Sequence, residues 1–201
     1  MTTSPVLTAL RNATARSHAA LEQHLAVASD GATRTDYLHY LEDMHGWLRA
    51  FEQALWDAEW PNELQAPARA GKLAWIEQDL NSAGMSRSEI GALPASVFAP
   101  DLSSEASRFG LAYVIEGAQL GTKQLRQRLD QALDGWEPRW LEGYGEQNGE
   151  RWRGFLHALA GHVHTPQEIS AACDAAAAGF DSLAGWFEQR RGERAELAMV
   201  K

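Results

Sequence analysis

Apolar residues recur three and four positions apart in almost every long segment of this chain, the spacing of one buried helix face. The first stripe, Leu7, Leu10, Thr14, His18, Leu21 and Leu25, follows Ser4-Pro5, a cap residue with proline at the first helical position. Asp30-Gly31 is expected to close that helix. A second stripe from about Thr35 carries Leu38, Leu41, Met44, Leu48, Phe51 and Leu55, and stops before Trp60-Pro61. A third predicted helix runs from about Ala66 to Ser82, and the capping-box spacing of Ser86 and Glu89 suggests a short one after it. Leu93 to Leu102, with Pro94 and Pro100, reads as a connector. Beyond it the pattern predicts a long helix from about Ser103 to Leu133, a glycine-rich loop at 143–150 and a helix from about Glu150 to His162. Thr165-Pro166 launches a last helix, expected to end near Arg190. No segment alternates with period two. The expectation is all-α: one domain over residues 1–192 with a short charged tail at 193–201.

Two features interrupt this packing pattern. His18 lies on the apolar stripe of the first helix, with Glu22 one turn later on the same side. Glu22 can hold one imidazole nitrogen while the other faces inward, the arrangement that metal-binding histidines usually have. Arg11, two turns earlier, can meet a ligand carboxylate. The plain alternative is a core histidine satisfied by its neighbour. The second feature is YVIEGAQLGTKQL (113–125), where Gly117 and Gly121 share a helix face with Tyr113. Each interior glycine costs about 1 kcal/mol relative to alanine. Close helix–helix packing would explain that cost; so would a flat ligand lying on bare backbone. No histidine or arginine shares the glycine face, so a peroxidase-like distal acid is not expected there.

Composition narrows the classes. The 201 residues are 45% hydrophobic and carry a formal charge of −9, which argues against general nucleic-acid binding. Cys173 is the only cysteine, so an intramolecular disulfide is impossible and a cysteine zinc site is not expected. The N-terminus shows no basic start followed by an apolar block, and no run approaches the roughly 20 apolar residues that span a bilayer. A cytoplasmic protein without membrane association is expected.

Four segments carry a resemblance: LRNATARSHAALE (10–22), YVIEGAQLG (113–121), GYGEQNGERWRGF (143–155) and FDSLAGWF (180–187). In order and separation they are similar to the bacterial, biliverdin-forming haem oxygenases. The resemblance implies a single-domain haem-oxygenase-like helical bundle with haem as substrate and cofactor, opened by O2 and external electrons to biliverdin, CO and iron. By the same likeness His18 is the iron ligand, Glu22 its orienting carboxylate, and Gly117 and Gly121 the distal glycines that contact haem and set the catalytic geometry. Arg11 and Tyr113 fall at propionate-binding positions, and either Arg151 or Arg153 would supply another base there. Ala118 stands where the family often has serine or aspartate, and Thr122 where a glycine is common. The implied electron donor is a ferredoxin or flavin reductase, and a biliverdin-using phytochrome is a candidate partner.

Other readings compete. Glu42-x-x-His45 is half of a di-iron signature, and a second half is missing from the sequence. A haem carrier or sensor would share the pocket without turnover. His162 and His164, two apart, fall on different helical faces and are expected to be solvated helix-end residues. The tryptophans, at helical core spacings, read as packing.

Overall fold

The computed structural model describes residues 4–199, the side chains of Gln23 and His24 excepted. Met1–Thr3 and the last two residues of the expected tail, Val200 and Lys201, lie outside the described residues. The described residues form nine α-helices and no strand: α1 (Pro5–His24), α2 (Arg34–Leu48), α3 (Glu52–Asp57), α4 (Lys72–Ser82), α5 (Arg87–Ala92), α6 (Glu105–Leu133), α7 (Arg139–Glu142), α8 (Asn148–His162) and α9 (Pro166–Met199). Short 3-10 turns sit at Ala26–Ala28, Asn62–Leu64, Ala66–Ala68 and Gly145–Gln147.

α9 is the spine. α6 and α1 both pack along it, yet they scarcely touch each other. The α6–α9 contact is close because small residues meet there. A side chain on Gly110 would overlap the main chain of Ala172, and one on Gly179 would press on Leu111 Cδ1 (3.1 Å) and Val114 Cγ2 (3.3 Å).

Several boundaries differ from the sequence expectation, each for a physical reason. α1 ends at His24 rather than at Asp30-Gly31, and the chain turns through Ala26–Ala28 with Val27 buried. The expected second helix is two. The Gly46 carbonyl accepts from Ser96 N (2.9 Å) instead of serving the helix ladder, because the 93–102 connector docks on the bare Gly46 backbone. The interrupted helix resumes at Glu52, which turns inward. There its carboxylate caps α4, accepting from the backbone N–H of Lys72 (2.7 Å) and Leu73 (2.9 Å), where the cap residue Gly71 has no side chain to do so. Asp79 caps the unpredicted α7 in the same way, through Arg139 N (2.6 Å) and Trp140 N (2.8 Å). α9 runs past Arg190 to Met199. Asp43, buried on α2, pairs with Arg190 and Arg194 and so holds that last stretch onto the bundle.

Candidate functional site

Because α1 and α6 share α9 but not each other's surface, a cavity of about 460 Å³ remains between them. That is within the usual size of ligand sites. α1 contributes Thr14, His18, Leu21 and Glu22; α6 contributes Tyr113, Val114, Gly117, Ala118, Gly121 and Thr122. α9 supplies Phe180, Leu183 and Phe187, and Tyr40, Met44, Trp47, Trp140 and Trp152 close the remaining sides. The lining is mainly apolar and aromatic.

The His18 side chain is 56% exposed, and three neighbours bear on its placement. Ser17 donates to Asp181 Oδ1 (2.8 Å), tying α1 to α9 one residue before it. The edge of Phe180 packs against the imidazole at a centroid distance of 5.6 Å. Nδ1 lies 3.7 Å from Glu22 Oε2, and among the described residues none hydrogen-bonds Nε2. The ring thus leaves one nitrogen, on a residue that lines the cavity, without a partner among the described residues.

Opposite it, the α6 glycines separate into two kinds. At Gly110 an added Cβ would overlap main chain of α9. At Gly121 it would meet nothing within 4 Å, and at Gly117 only the tip of Trp152 at 3.9 Å, an ordinary contact. Helix packing thus accounts for Gly110 and leaves Gly117 and Gly121 as open wall. Ala118 and the methyl side of Thr122 continue that wall; the Thr122 hydroxyl is turned to its own helix, donating to the Gln119 carbonyl (2.9 Å). The Tyr40 phenol, pushed up to about 12 by burial, stays neutral at any working pH. The neighbouring Trp140 indole N–H offsets part of that rise.

Tyr113 is half-buried, packs its ring against Trp152 (5.5 Å), and has its phenol pKa raised by burial. The exposed Arg11 cation offsets part of that rise, although Arg11 itself is not among the residues that line the cavity. Neither Arg151 nor Arg153 lines the cavity. Arg151 donates to Gln65 Oε1 (3.2 Å) and lies over the Tyr144 ring, while Arg153 is exposed and lies back along α8 towards Gly149. The basic side chain that does line it is Arg128, whose Nη1 donates to the Ala28 carbonyl (3.0 Å). Sequence reasoning passed it over, although eleven residues after Gly117 is three helical turns along the same face.

The other candidates disperse. Glu42 lies 3.9 Å from Arg194 and His45 pairs with Glu77 at 3.4 Å, so the half di-iron signature does not converge. Among the described residues no group of three His, Cys, Asp or Glu is placed to hold a metal ion. His162 is not simply solvated: it bridges Glu63 (2.7 Å) and Glu105 (2.8 Å), pinning the end of α8 to the start of α6. His164 stays on the surface near Glu168. No described helix is long and apolar enough to cross a membrane.

Comparison with curated proteins found no match. Among solved structures, the fold is similar to a haem oxygenase from Neisseria meningitidis determined with NO and CO bound. The TM-score is 0.74 at 20% identity, covering 93% of this chain and 92% of that one. The family model described as haem oxygenase matches residues 4–189, nearly all of the described bundle. With that match, and a ligand-sized cavity lined by His18 on one side and a bare glycine wall on the other, the chain belongs to the haem oxygenase family of enzymes.

Proposed function

We propose that this protein binds haem between α1 and α6, with His18 as the iron ligand, and opens it oxidatively to biliverdin with release of CO and iron. The observation that carries this reading is the open space in front of Gly117 and Gly121, across a cavity from an imidazole whose Nε2 has no protein partner among the described residues. A flat macrocycle fits such a slot: one face needs a nitrogen ligand, the other needs bare main chain, and the edges need apolar surroundings.

Bound haem supplies the iron that activates O2 and is itself the molecule consumed. The protein's residues do the rest. Glu22, whose Oε2 stands 3.7 Å from His18 Nδ1, would close on that N–H when the ring binds iron, orienting the ring and raising the basicity of Nε2. Tyr113 and Arg11 at the rim hold the propionates and set the in-plane rotation of the disc. Gly117, Ala118 and Gly121 let the disc approach α6 and present no acid on that side. The phenyl rings of Phe180 and Phe187 exclude bulk water from the ligand side. Electrons come from an external donor of the ferredoxin or flavin reductase class, and biliverdin made here is suited to supply a phytochrome or to accompany iron acquisition.

The test is a haem titration followed by ascorbate in air. The expected result is a Soret band that gives way to the biliverdin spectrum, and a His18→Ala variant that loses the parent's coordination and regains it with added imidazole. A stable Soret band under ascorbate makes the protein a haem carrier or sensor instead. A His18→Ala variant that binds and degrades haem like the parent refutes the assignment of the ligand.

A further inference from the structure

Behind the glycine wall lies a buried ionic cluster that the haem site itself does not use. Glu116, 2% exposed, precedes Gly117. Its Oε2 pairs with Arg69 Nη1 at 2.5 Å, and its Oε1 accepts from Lys72 Nζ (2.8 Å) and from the Tyr144 hydroxyl (2.8 Å). Lys72, fully buried, spends its other two protons on the Arg69 carbonyl (2.6 Å) and on Tyr144 Oη (2.8 Å). Arg69 completes its fork with Leu64 O (2.8 Å) and Arg151 O (3.0 Å). Burial and the adjoining Glu116 carboxylate push the Tyr144 phenol far up, so it remains a donor. The Glu52 carboxylate on the Lys72 backbone and the Arg151 guanidinium over the Tyr144 ring are the nearest further charges.

Burying such ions costs several kcal/mol each before their pairing returns it, and an apolar cluster of the same volume is often no less stable. What an ionic cluster gives is a fixed geometry. This one grips the residue before each wall residue of one corner: Glu116 before Gly117, and the Arg151 carbonyl before Trp152. Those two wall residues stand 3.9 Å apart, measured from the place of a Gly117 Cβ to the Trp152 ring tip. Glu116 and Tyr144 also belong to two of the four segments that carry the family resemblance, YVIEG and GYGEQNGERW, and neither touches the cavity.

We propose that Glu116, acting through Arg69, Lys72 and Tyr144, is a positioning residue that fixes Gly117 against Trp152 and thereby determines which meso carbon of haem is opened. The inference rests on the haem-opening reading above. The cluster makes no contact with haem; it holds the surface on which the disc lies, so loosening it lets the disc rotate or tilt.

The experiment uses the haem-loaded full chain. Glu116→Gln keeps the shape and removes the charge, Tyr144→Phe removes one hydroxyl and keeps both ion pairs, and Ser86→Ala is a control that removes the cap of α5, which contributes nothing to the cavity wall. Each is read by chromatography of the biliverdin isomers, by the haem-methyl proton spectrum of the cyanide-ligated ferric protein, and by urea unfolding. In Glu116→Gln the major-to-minor isomer ratio falls about tenfold, equal to about 1.4 kcal/mol of orientation preference, and the haem-methyl spectrum gains a second set. Tyr144→Phe moves both readouts the same way by less, and decides the matter if Glu116→Gln does not fold. Ser86→Ala lowers stability and moves neither. Parent-like isomers and parent-like spectra in both cluster variants, whatever their stability, make the cluster purely structural and overturn the proposal. A parent chain that does not bind haem removes the function reading together with the inference, a failure distinct from the previous one.

Discussion

The same glycine-to-alanine change on one helix should act with opposite sign at two positions. Both Gly110 and Gly121 lie inside α6, so alanine gains about 1 kcal/mol of helix propensity at either. At Gly121 nothing opposes that gain, since the new methyl enters open space. The haem-free Gly121→Ala protein should be more stable by about 1 kcal/mol, a melting temperature about 2–4 °C higher for a chain of this size. At Gly110 the methyl would overlap the Ala172 carbonyl oxygen and sit 2.8 Å from its carbon and 2.9 Å from its Cα. Main chain cannot rotate out of the way, so α9 must shift along its length; overpacking of this kind costs about 3 kcal/mol at the upper end of its usual range. The net loss is about 2 kcal/mol, and the two variants should differ by about 3 kcal/mol in urea or thermal unfolding. A larger Gly121→Leu side chain should leave haem-free stability near the parent's but weaken haem binding at least tenfold, about 1.4 kcal/mol, by occupying the slot. Should Gly121→Ala melt below the parent, or Gly110→Ala match it, the division of these glycines into packing and ligand-facing kinds is wrong.

Three further outcomes follow from other parts of the fold. Burial lowers the His45 pKa despite its contact with Glu77, so as pH falls below about 6.5 the unfolded chain takes up a proton that the native state resists. Stability present at pH 7 is therefore lost towards pH 5.5, and a His45→Asn variant should show a flatter melting profile across that window. Removing residues 190–201 leaves the Asp43 carboxylate buried without Arg190 and Arg194, which should cost about 3–5 kcal/mol in unfolding free energy; Asp43→Asn in the shortened chain should recover much of it. Replacing Arg11 with alanine and Tyr113 with phenylalanine should broaden the biliverdin isomer mixture without abolishing the Soret band, whereas unchanged isomers would remove both from the rim of the haem site.

How much of this was legible beforehand depended on how local each cause is. Capping boxes are made by residues three apart, and Ser86 with Glu89 closes as its spacing implies. The connector that docks on Gly46 and the Asp79 carboxylate that caps α7 come from elsewhere in the chain, so neither the break after α2 nor the existence of α7 left a local trace. The sequence pattern ends the last helix near Arg190, but Asp43, some 150 residues away in sequence, supports its continuation through Arg194. The site shows the same division. The spacing of His18, Glu22, Tyr113, Gly117 and Gly121 puts them on two helix faces, and the fold brings those faces across one cavity. Arg151 and Arg153 carry the right charge on a helix that supplies Trp152 to the wall, yet a helix presents successive residues about 100° apart, so neighbours of a wall residue face elsewhere. The deepest ambiguity was in the small residues of α6. Glycine codes only for absence, and whether the absence is filled by another helix or by a ligand is decided by what lies opposite. α9 lies opposite Gly110; opposite Gly117 and Gly121 lies a gap, with His18 on its far side. A stripe of one residue type thus serves two purposes within three turns of one helix, and only the surfaces around it tell them apart.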